Sequence, residues 1–451
     1  MEIGKMSSKP RDYSSMTKDK LMLYTFIALL AITVVSAALW SQVTTVSGWN
    51  LGLTVGICAV IAVGLAVGLD VLLYKVTADS PLNIMSAAVF GLIVADSYSL
   101  GVPAMMTTEV LPLEAPSAFL WVAVISIVGL VIFKKIQGSY GRKFVNPAAA
   151  AKLVVLFPFL YSVLIPADHI TDIPTLATQL NYPGQTSFGT WMQYCFGNPG
   201  PLATTAPVVD PMSVFQTLFL DKFHGWVGGA CSLAVIVAGI ALFIVARRYI
   251  KWRITLSYLV TTAIFAGILA AVYGGDPLLR LMFHLFVGSS IFLAFFMATD
   301  PASTPLTYFG QIIFGVGLAV ITMLLQTYAS FFGGSIVALI IMNIASPALD
   351  RVGKLKPSTE TKEPKLPKAK AFDPEKVKTY QCMRCGACMR VCCHKLSPIL
   401  IKQAYDKQNF DAMSKLNADY CTGCGHCSFV CPSRIDLKGS VLRAKAMLRQ
   451  Q

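Results

Sequence analysis

Cysteines are the residues whose spacing most clearly specifies chemistry in this sequence. Nine of the twelve lie within residues 382–431, and eight of these form two runs of the pattern C-x2-C-x2-C-x3-C. Three thiolates at this spacing hold three corners of a cubane [4Fe–4S] cluster, while the fourth cysteine of the run ligates a second cluster. The sequence therefore predicts one cluster on Cys382, Cys385, Cys388 and Cys431, and another on Cys421, Cys424, Cys427 and Cys392.

Two alternatives to this assignment remain open. Cys392 is followed by Cys393, whereas the second run ends in Cys431-Pro432, so either Cys392 or Cys393 could be the fourth ligand. The regular spacing favours Cys392. Paired C-x2-C motifs also bind zinc, but two complete four-cysteine runs, the second followed by proline, favour iron–sulfur chemistry. Gly386 and Gly423 are expected to let the backbone approach the clusters closely.

The segments around the cysteines predict a helix-rich domain. Residues 398–416 and 440–450 have helical periodicity, and the spacing between the two runs exceeds that of small bacterial ferredoxins. We therefore expect residues 379–451 to form a helix-rich domain with two [4Fe–4S] clusters, similar to ferredoxin. The preceding residues 351–378 are rich in Lys, Pro and Glu and are expected to form a mobile linker.

The rest of the chain has the composition of a membrane protein. Charged residues make up 13% of the 451 residues and hydrophobic residues 55%. Soluble domains carry about 25% charged residues, and disordered chains are far less apolar. The composition therefore excludes both a wholly soluble and a disordered protein.

Ten apolar segments are long enough for transmembrane helices, which need roughly 20 residues to cross a bilayer. We therefore expect an all-α polytopic membrane domain over residues 21–350, preceded by an arm at 1–20. The predicted spans are approximately 21–41, 51–74, 82–101, 117–133, 147–165, 226–246, 254–273, 279–298, 309–327 and 333–349.

Basic residues predict the orientation of these spans. They concentrate in the arm at 1–20 and in the connections near 134–143 and 247–253, while the loops near 42–50, 102–116 and 328–332 contain no Lys or Arg. Basic connections stay on the cytoplasmic side of a membrane. We therefore expect a multi-pass protein of the cell inner (cytoplasmic) membrane with both termini cytoplasmic, and with a long outer loop at about 166–221.

The net charge of +14 belongs almost wholly to the C-terminal part. Residues 351–451 contain 20 of the 37 basic residues and 8 of the 23 acidic ones. No aromatic platform for nucleic acid accompanies these charges, so we expect no nucleic-acid partner. Attraction to an acidic redox partner or to the anionic leaflet explains the charge more simply.

Two motifs within the membrane part combine small residues, prolines and ionisable groups. They occupy residues 138–153 and 296–307. Irregular backbone at such depth is tolerated where it lines a cavity, so both are candidate cofactor or ion sites. Ionisable residues in or near spans are functional candidates for the same reason; they are Asp70, Asp96, Lys152, Arg280, His284 and Asp300.

Residues 20–351 resemble the membrane protein RnfD of the Rnf complex, the ion-translocating ferredoxin:NAD oxidoreductase, and are similar to the corresponding membrane protein (B) of the sodium-pumping NADH:quinone reductase. The segments that carry this resemblance are 138–153, 278–307 and 335–351. The tail, above all residues 421–437, resembles the two-cluster segment of a different component of the Rnf complex, RnfC. The two types of segment are commonly on separate chains.

The resemblance implies two flavins. The family implies FMN attached covalently to a threonine of the outer loop, and the matching stretch 198–207 offers Thr204, with Thr205 as a lesser alternative. The motif is degraded, because Asn198, Pro201 and Leu202 replace its acidic, serine and glycine residues. A second flavin, such as riboflavin, is expected near residues 138–147 and 299–304.

These patterns predict an electron-transfer subunit of a membrane redox complex, coupled to translocation of Na+ or H+. Its expected partners are the other subunits of the complex, ferredoxin or another low-potential donor, and the lipid bilayer. No nucleophile–base constellation or nucleotide-binding loop occurs, so we expect NAD chemistry, if any, on a partner protein. Alternatives are a conduit without pumping, and a transporter or scaffold with a regulatory cluster domain.

Overall fold

The computed structural model describes residues 12–42, 50–76, 82–100, 115–139, 143–160, 219–220, 225–273, 277–286, 290–328, 334–354, 356–359, 364–367, 369–371 and 377–450. Most of these residues are helical. They form a bundle of apolar helices and, from residue 377 onward, a smaller domain of short helices packed against one end of the bundle, which we call the tail domain.

The described part of the bundle contains eleven helices, some of them continued by stretches of π-helix or short turns. Their bounds are α1 Lys18–Trp40, α2 Leu51–Val76, α3 Ile84–Asp96, α4 Ala115–Val128 (continued by the π-helix Gly129–Ile136 and the turn Gln137–Ser139), α5 Pro147–Leu160, α6 Ser232–Ala246, α7 Trp252–Tyr273, α8 Pro277–Phe286, α9 Ser290–Phe292 (continued by the π-helix Leu293–Met297), α10 Tyr308–Tyr328 and α11 Gly334–Val352.

Six helices of the described chain are long and apolar enough to cross a membrane, so the protein is a multi-pass membrane protein. They are Lys18–Trp40, Leu51–Val76, Ala118–Ile136, Trp252–Val272, Tyr308–Thr327 and Gly334–Val352. A seventh span is formed if Arg280–Phe286 and Ser290–Met297, bent by 62°, count together. The predicted number of ten is not confirmed.

One of the remaining three predicted spans coincides with Pro147–Leu160, which borders residues outside the described part of the chain. The other two coincide with shorter helices, Ile84–Asp96 with 13 residues and Ser232–Ala246 with 15. At a rise of about 1.5 Å per residue, a helix of this length is too short to cross a hydrocarbon core of about 30 Å. Sequence hydropathy located these segments, while the structure gives their helical lengths.

Apolar side chains cover the outside of the bundle, and small residues allow its helices to approach closely. Ile244 and Val60 are each 73% exposed, as expected for side chains that face lipid. Where α3 crosses α2, a Cβ atom at Gly91 would lie 2.7 Å from the carbonyl oxygen of Ala62, so only glycine fits there. Small residues at helix crossings are typical of membrane bundles.

The tail domain is built from two copies of one backbone pattern. Its helices are α12 Ala387–Arg390, α13 Pro398–Asp406, α14 Phe410–Lys415, α15 His426–Phe429 and α16 Leu437–Arg449, with a 3-10 turn at Ala418–Tyr420. Residues with positive φ recur 39 positions apart: Arg384 with Gly423, Gly386 with Gly425, and Lys395 with Arg434. The two helix pairs α12/α13 and α15/α16 begin at the same offset.

Two short antiparallel ribbons complete the described fold. Strand β1 (Asp12–Ser14) pairs with β4 (Ala369–Ala371), and β2 (Ser99–Leu100) pairs with β3 (Gly225–Trp226), which is followed by a 3-10 turn at Val227–Gly229. The first ribbon joins the predicted N-terminal arm to the predicted linker. This part of the linker therefore has a defined partner, a feature that its polar composition did not indicate.

Candidate functional site

The tail domain brings the eight predicted cysteine ligands into two neighbouring groups. Cys431 interacts electrostatically with Cys385 and Cys382, and Cys388 interacts with all three. In the other group, Cys427 interacts with Cys421, Cys424 and Cys392. This is the crossed arrangement that the spacing predicts, and we call the groups thiol group 1 (residues 382, 385, 388 and 431) and thiol group 2 (residues 421, 424, 427 and 392).

The environment of these thiols suits an iron–sulfur cluster. Burial raises the pKa of Cys431 to about 12 and that of Cys427 to about 12, with nearby cysteines adding to the effect. Such thiols become thiolates only when a metal cation compensates the negative charge. Backbone N–H groups also point at the sulfurs: Arg384 donates to Sγ of Cys382 and Leu396 donates to Sγ of Cys392, each at 3.3 Å.

A further thiol lies beside thiol group 2. Sγ of Cys393 is 3.5 Å from Nδ1 of His426, and these two side chains and Cys424 form a set whose ligand atoms lie within 4.8 Å of one another. Cys392 and Cys393 therefore both lie near this group. The choice of the fourth ligand between them stays a prediction that favours Cys392.

Three arginines join the tail domain to the bundle and the N-terminal arm. Arg384, in the loop between Cys382 and Cys385, pairs with Asp350 at the end of α11 (3.5 Å). Arg390 donates to the backbone carbonyls of Arg247 (3.1 Å), Arg248 (2.6 Å) and Ile250 (3.2 Å), just after α6. Arg434 donates to the carbonyl of Ser14 (2.7 Å).

Thiol group 1 packs directly on the bundle. Cys388 and Cys431 share an apolar cluster with Leu306, which belongs to the connection between α9 and α10. Asp350 accepts hydrogen bonds from the backbone of Leu306 (2.6 Å) and of Thr307 (3.2 Å) as well as pairing with Arg384. One carboxylate therefore joins this connection to the loop that carries the first cysteines.

A cavity of about 920 Å³ lies between the bundle and thiol group 1. Part of its wall is the loop that carries the first cysteines, namely Cys382, Met383 and Arg384. The two motifs singled out in the sequence form another part. The first motif contributes Gly138, Lys143, Asn146, Pro147 and Ala148, and the second contributes Thr299, Asp300, Pro301 and Ala302. Pockets that bury a small organic ligand have volumes of about 300–1,000 Å³. The cavity is therefore large enough for a cofactor next to the predicted cluster.

Asn146 holds the two motifs together at this cavity. Its side-chain oxygen accepts from the backbone of Ala148 (3.1 Å) and Ala149 (3.2 Å), which caps the N-terminus of α5 ahead of Pro147. Its amide nitrogen donates to the carbonyl of Met297 (3.1 Å) at the end of the π-helix. The N-terminus of α5 thus borders the cavity with its partial positive charge.

Charged and polar side chains form a second wall of the cavity. Lys135 pairs with Asp70 (2.6 Å), and Asp70 accepts from the backbone of Asn83 (2.8 Å). Lys18 donates to the side chain of Asn83 (2.7 Å), and Lys134 donates to the carbonyl of Ser86 (2.5 Å). Lysines outnumber carboxylates in this wall, so it suits a ligand that carries or develops negative charge.

The other ionisable candidates are buried elsewhere in the bundle. Asp96 accepts from the hydroxyl of Thr33 (2.8 Å). Lys152 donates to the carbonyl of Ser97, and its ammonium lies 4.4 Å from the centroid of the Trp226 ring. Nδ1 of His284 lies 2.8 Å from Oε1 of Gln326. Arg280 is 1% exposed. These four residues are not among those that line the cavity.

Thr204 and Thr205, on which the resemblance places FMN, lie outside the described residues. Covalent attachment there remains a prediction.

Comparison with known proteins identifies the family. A family model described as "NQR2, RnfD, RnfE family" matches residues 5–358 of the 451. The chain belongs to this family. The NQR2, RnfD, RnfE part is followed by a match of residues 363–435 to a 4Fe-4S dicluster domain. The iron–sulfur assignment of the tail, rather than the zinc alternative, thus has independent support.

Relatives within the family are the D components of membrane redox complexes. The D component of the Na+-translocating ferredoxin:NAD+ oxidoreductase complex of Acetobacterium woodii is 30% identical over 77% of this chain and 93% of its own. Its counterpart in the ion-translocating oxidoreductase complex of Actinobacillus pleuropneumoniae is 28% identical over 77% of this chain and 96% of its own. The counterpart named for proton translocation, from Clostridium ljungdahlii, is 27% identical over 51% and 66%. The protein is therefore a membrane subunit of an oxidoreductase complex.

Sequence reasoning missed the residues that connect the two parts. Asp350, Arg384 and Arg390 make contacts that depend on how the tail domain docks, and so does the backbone N–H of Lys18, which donates to the carbonyl of Pro432. Only the basic composition of the tail hinted at them. The two small-residue motifs, by contrast, were found from sequence because their irregularity within apolar segments is itself a signal.

Proposed function

We propose that this chain is an electron-transfer subunit of an Rnf-type complex, with two [4Fe–4S] clusters in the tail domain and flavin in the membrane domain. We further propose that electron transfer through it is coupled to translocation of Na+ or H+. The single observation that carries the electron-transfer role is the cavity between thiol group 1 and the motifs at 138–148 and 299–302. It provides room for an organic redox cofactor directly beside a predicted cluster.

The residues of this cavity fit a flavin. The isoalloxazine ring needs an apolar slot, which Phe90, Ile93 and Phe296 can provide, and polar donors at its edge, which Asn146 and Lys143 can provide. Burial lowers the pKa of Lys143, and the carboxylate of Asp300 opposes this shift. Iron–sulfur clusters and flavin, when bound, supply one-electron transfer at tunable potentials. The protein's own part is to hold them, exclude water and set the charge around them.

The orientation of the chain follows from the same proposal. The tail domain and the N-terminal arm belong on the cytoplasmic side of the inner membrane, since the basic connections near 134–143 and 247–253 lie at the end of the bundle to which the tail is attached. Covalent FMN at Thr204 would then lie on the opposite side. Electrons would have to cross the bundle between the two flavins.

A test of ion coupling uses the assembled complex in sealed vesicles. With reduced ferredoxin as the electron donor and NAD+ as the electron acceptor, we expect electron transfer to be accompanied by uptake of Na+, followed with a radioactive tracer, or of protons, followed with a pH-sensitive dye. An ionophore selective for the transported ion should abolish its accumulation without slowing ferredoxin oxidation. Oxidation without movement of either ion would reject the pump and leave the second candidate, an electron conduit without pumping, which the cavity supports equally.

A further inference from the structure

The two thiol groups differ in what surrounds them. Thiol group 1 is packed against the bundle, and the nearby arginines, Arg384 and Arg390, are engaged with bundle residues. Thiol group 2 is the more open: Cys424 is exposed and its other three cysteines are partly exposed, whereas three of the four cysteines of thiol group 1 are buried and only Cys382 is exposed. The tail domain therefore has a side that is attached to the membrane part and a group of cysteines that is accessible from solution.

Three lysines lie around thiol group 2, and we call them the lysine face: Lys395, Lys438 and Lys445. Lys445 donates to the carbonyl of Cys421 (2.7 Å), and both Lys445 and Lys438 interact electrostatically with the Cys421 thiol. A Cβ atom on Gly425, next to Cys424, would lie 3.5 Å from the side chain of Lys438. Lys395 is exposed in the turn that follows Cys392 and Cys393.

The positive charge of the lysine face is not cancelled by carboxylates of the described tail domain. Residues 377–450 contain four carboxylates. Asp406 pairs with Lys402 (2.5 Å), Asp411 pairs with Lys415 (2.5 Å), and Asp436 caps α16 through the backbone of Gly439 (2.9 Å). The fourth, Asp419, forms no ion pair with a lysine of the face among the described contacts.

We propose that the lysine face is the docking surface for an acidic electron-carrier protein. Charge complementarity indicates an acidic partner, since a set of unneutralised lysines attracts an acidic surface and steers its approach. The position of the lysines supports the same conclusion, because they surround the thiol group in which no cysteine is buried. This inference rests on the proposed function and extends it by stating where on the tail domain the carrier binds.

Binding of a purified acidic two-cluster ferredoxin tests the proposal. The complex would be isolated in nanodiscs of neutral phospholipid, and its Kd for oxidised ferredoxin measured by biolayer interferometry at low and at high ionic strength. The double variant Lys395→Glu/Lys438→Glu should raise Kd at least about tenfold at low salt, because opposite charges become like charges. The difference should shrink above roughly 0.5 M salt, where the Debye length falls to a few ångströms.

The matched control is Lys407→Glu, which makes the same type of charge reversal at an exposed residue after α13. Lys445 is left unchanged because it holds the Cys421 carbonyl. The control should leave Kd within about twofold of the unsubstituted complex. An unchanged Kd in the double variant, or an equal rise with Lys407→Glu, would overturn the proposal.

Iron and acid-labile sulfide are measured on the same samples. If the double variant keeps full iron content and binds ferredoxin as tightly as the original complex, the docking surface is wrong and the proposed function stands. If the original complex lacks iron, the proposed function fails whatever the binding result. The two failures are therefore distinguishable.

Discussion

Individual residues of the tail show which parts of the site could be predicted from sequence. The cysteine ligands follow from spacing, because cluster geometry fixes it. Arg384 could not be predicted. It has φ of +55° at the position where the second copy of the repeat has Gly423, a conformation that costs a non-glycine residue about 1–2 kcal/mol. Its ion pair with Asp350 gives a reason for arginine at that position.

The fourth ligand of thiol group 2 can be determined by single substitutions. We expect Cys392→Ser to reduce the iron content of the purified protein by up to about four per chain, because a complete cluster needs four ligands. Cys393→Ser should leave iron content unchanged, since Cys393 interacts with Cys424 and His426 but is off the regular spacing. Both would be measured by iron and sulfide analysis after anaerobic purification.

Cys393→Ser is the matched control in this pair, because it removes one sulfur from the adjacent position. Loss of iron in Cys393→Ser, with retention in Cys392→Ser, would transfer the ligand role to Cys393.

Flavin attachment is also tested at a single residue. If Thr204 carries FMN, the denatured protein should show a flavin fluorescence band on a gel under ultraviolet light, and Thr204→Val should abolish it. Thr205→Val, the neighbouring control, should keep the band. Fluorescence that persists in Thr204→Val and disappears in Thr205→Val would move the attachment by one residue.

Secondary-structure elements were predicted better in position than in length. All ten predicted apolar segments overlap described helices, but Ile84–Asp96 and Ser232–Ala246 are short and one segment is bent by 62°. Hydropathy averages over a window and therefore does not detect where an apolar helix ends early. α3, for example, ends at Asp96, and the carbonyl of the next residue, Ser97, accepts a hydrogen bond from Lys152.

The end of α6 provides a prediction about docking of the tail domain. Arg390 donates to three carbonyls after this helix, so Arg390→Ala should remove hydrogen bonds that, as bonds to a charged group, are worth about 1.5–3 kcal/mol each. We expect amide hydrogen exchange in residues 247–251 and 387–391 to become at least roughly tenfold faster. The measurement is exchange detected by mass spectrometry on the protein in nanodiscs.

Arg449→Ala is the control, because Arg449 is exposed in the last turn of α16. It removes the same side chain and should leave exchange at both segments unchanged. Equal protection in Arg390→Ala and in the unsubstituted protein would mean that the tail domain is held by its other contacts.

The whole molecule joins a two-cluster domain to a membrane bundle of the NQR2, RnfD, RnfE family. The boundary between these two parts could be predicted from composition, because charge density and cysteine content change after residue 350. The docking of one part on the other could not be predicted from sequence. It depends on β1 pairing with β4, on Lys18 donating its backbone N–H to the carbonyl of Pro432 (3.1 Å), and on three arginines.

The basic side chains of the C-terminal part occupy two different positions in the whole molecule. Arginines of the tail domain bind backbone and carboxylate groups of the bundle, while the lysines around thiol group 2 remain at the surface. This division could not be predicted from sequence, since arginine and lysine are interspersed along the tail. It becomes visible only when the two thiol groups have been placed relative to the bundle.

The central claim is that one chain combines two clusters with flavin, and cofactor analysis of the anaerobically purified protein tests it most directly. We predict about eight irons and eight acid-labile sulfides per chain, together with flavin that remains after removal of the partner proteins. Four or fewer irons per chain, or a protein that carries zinc in their place and no flavin, would contradict it.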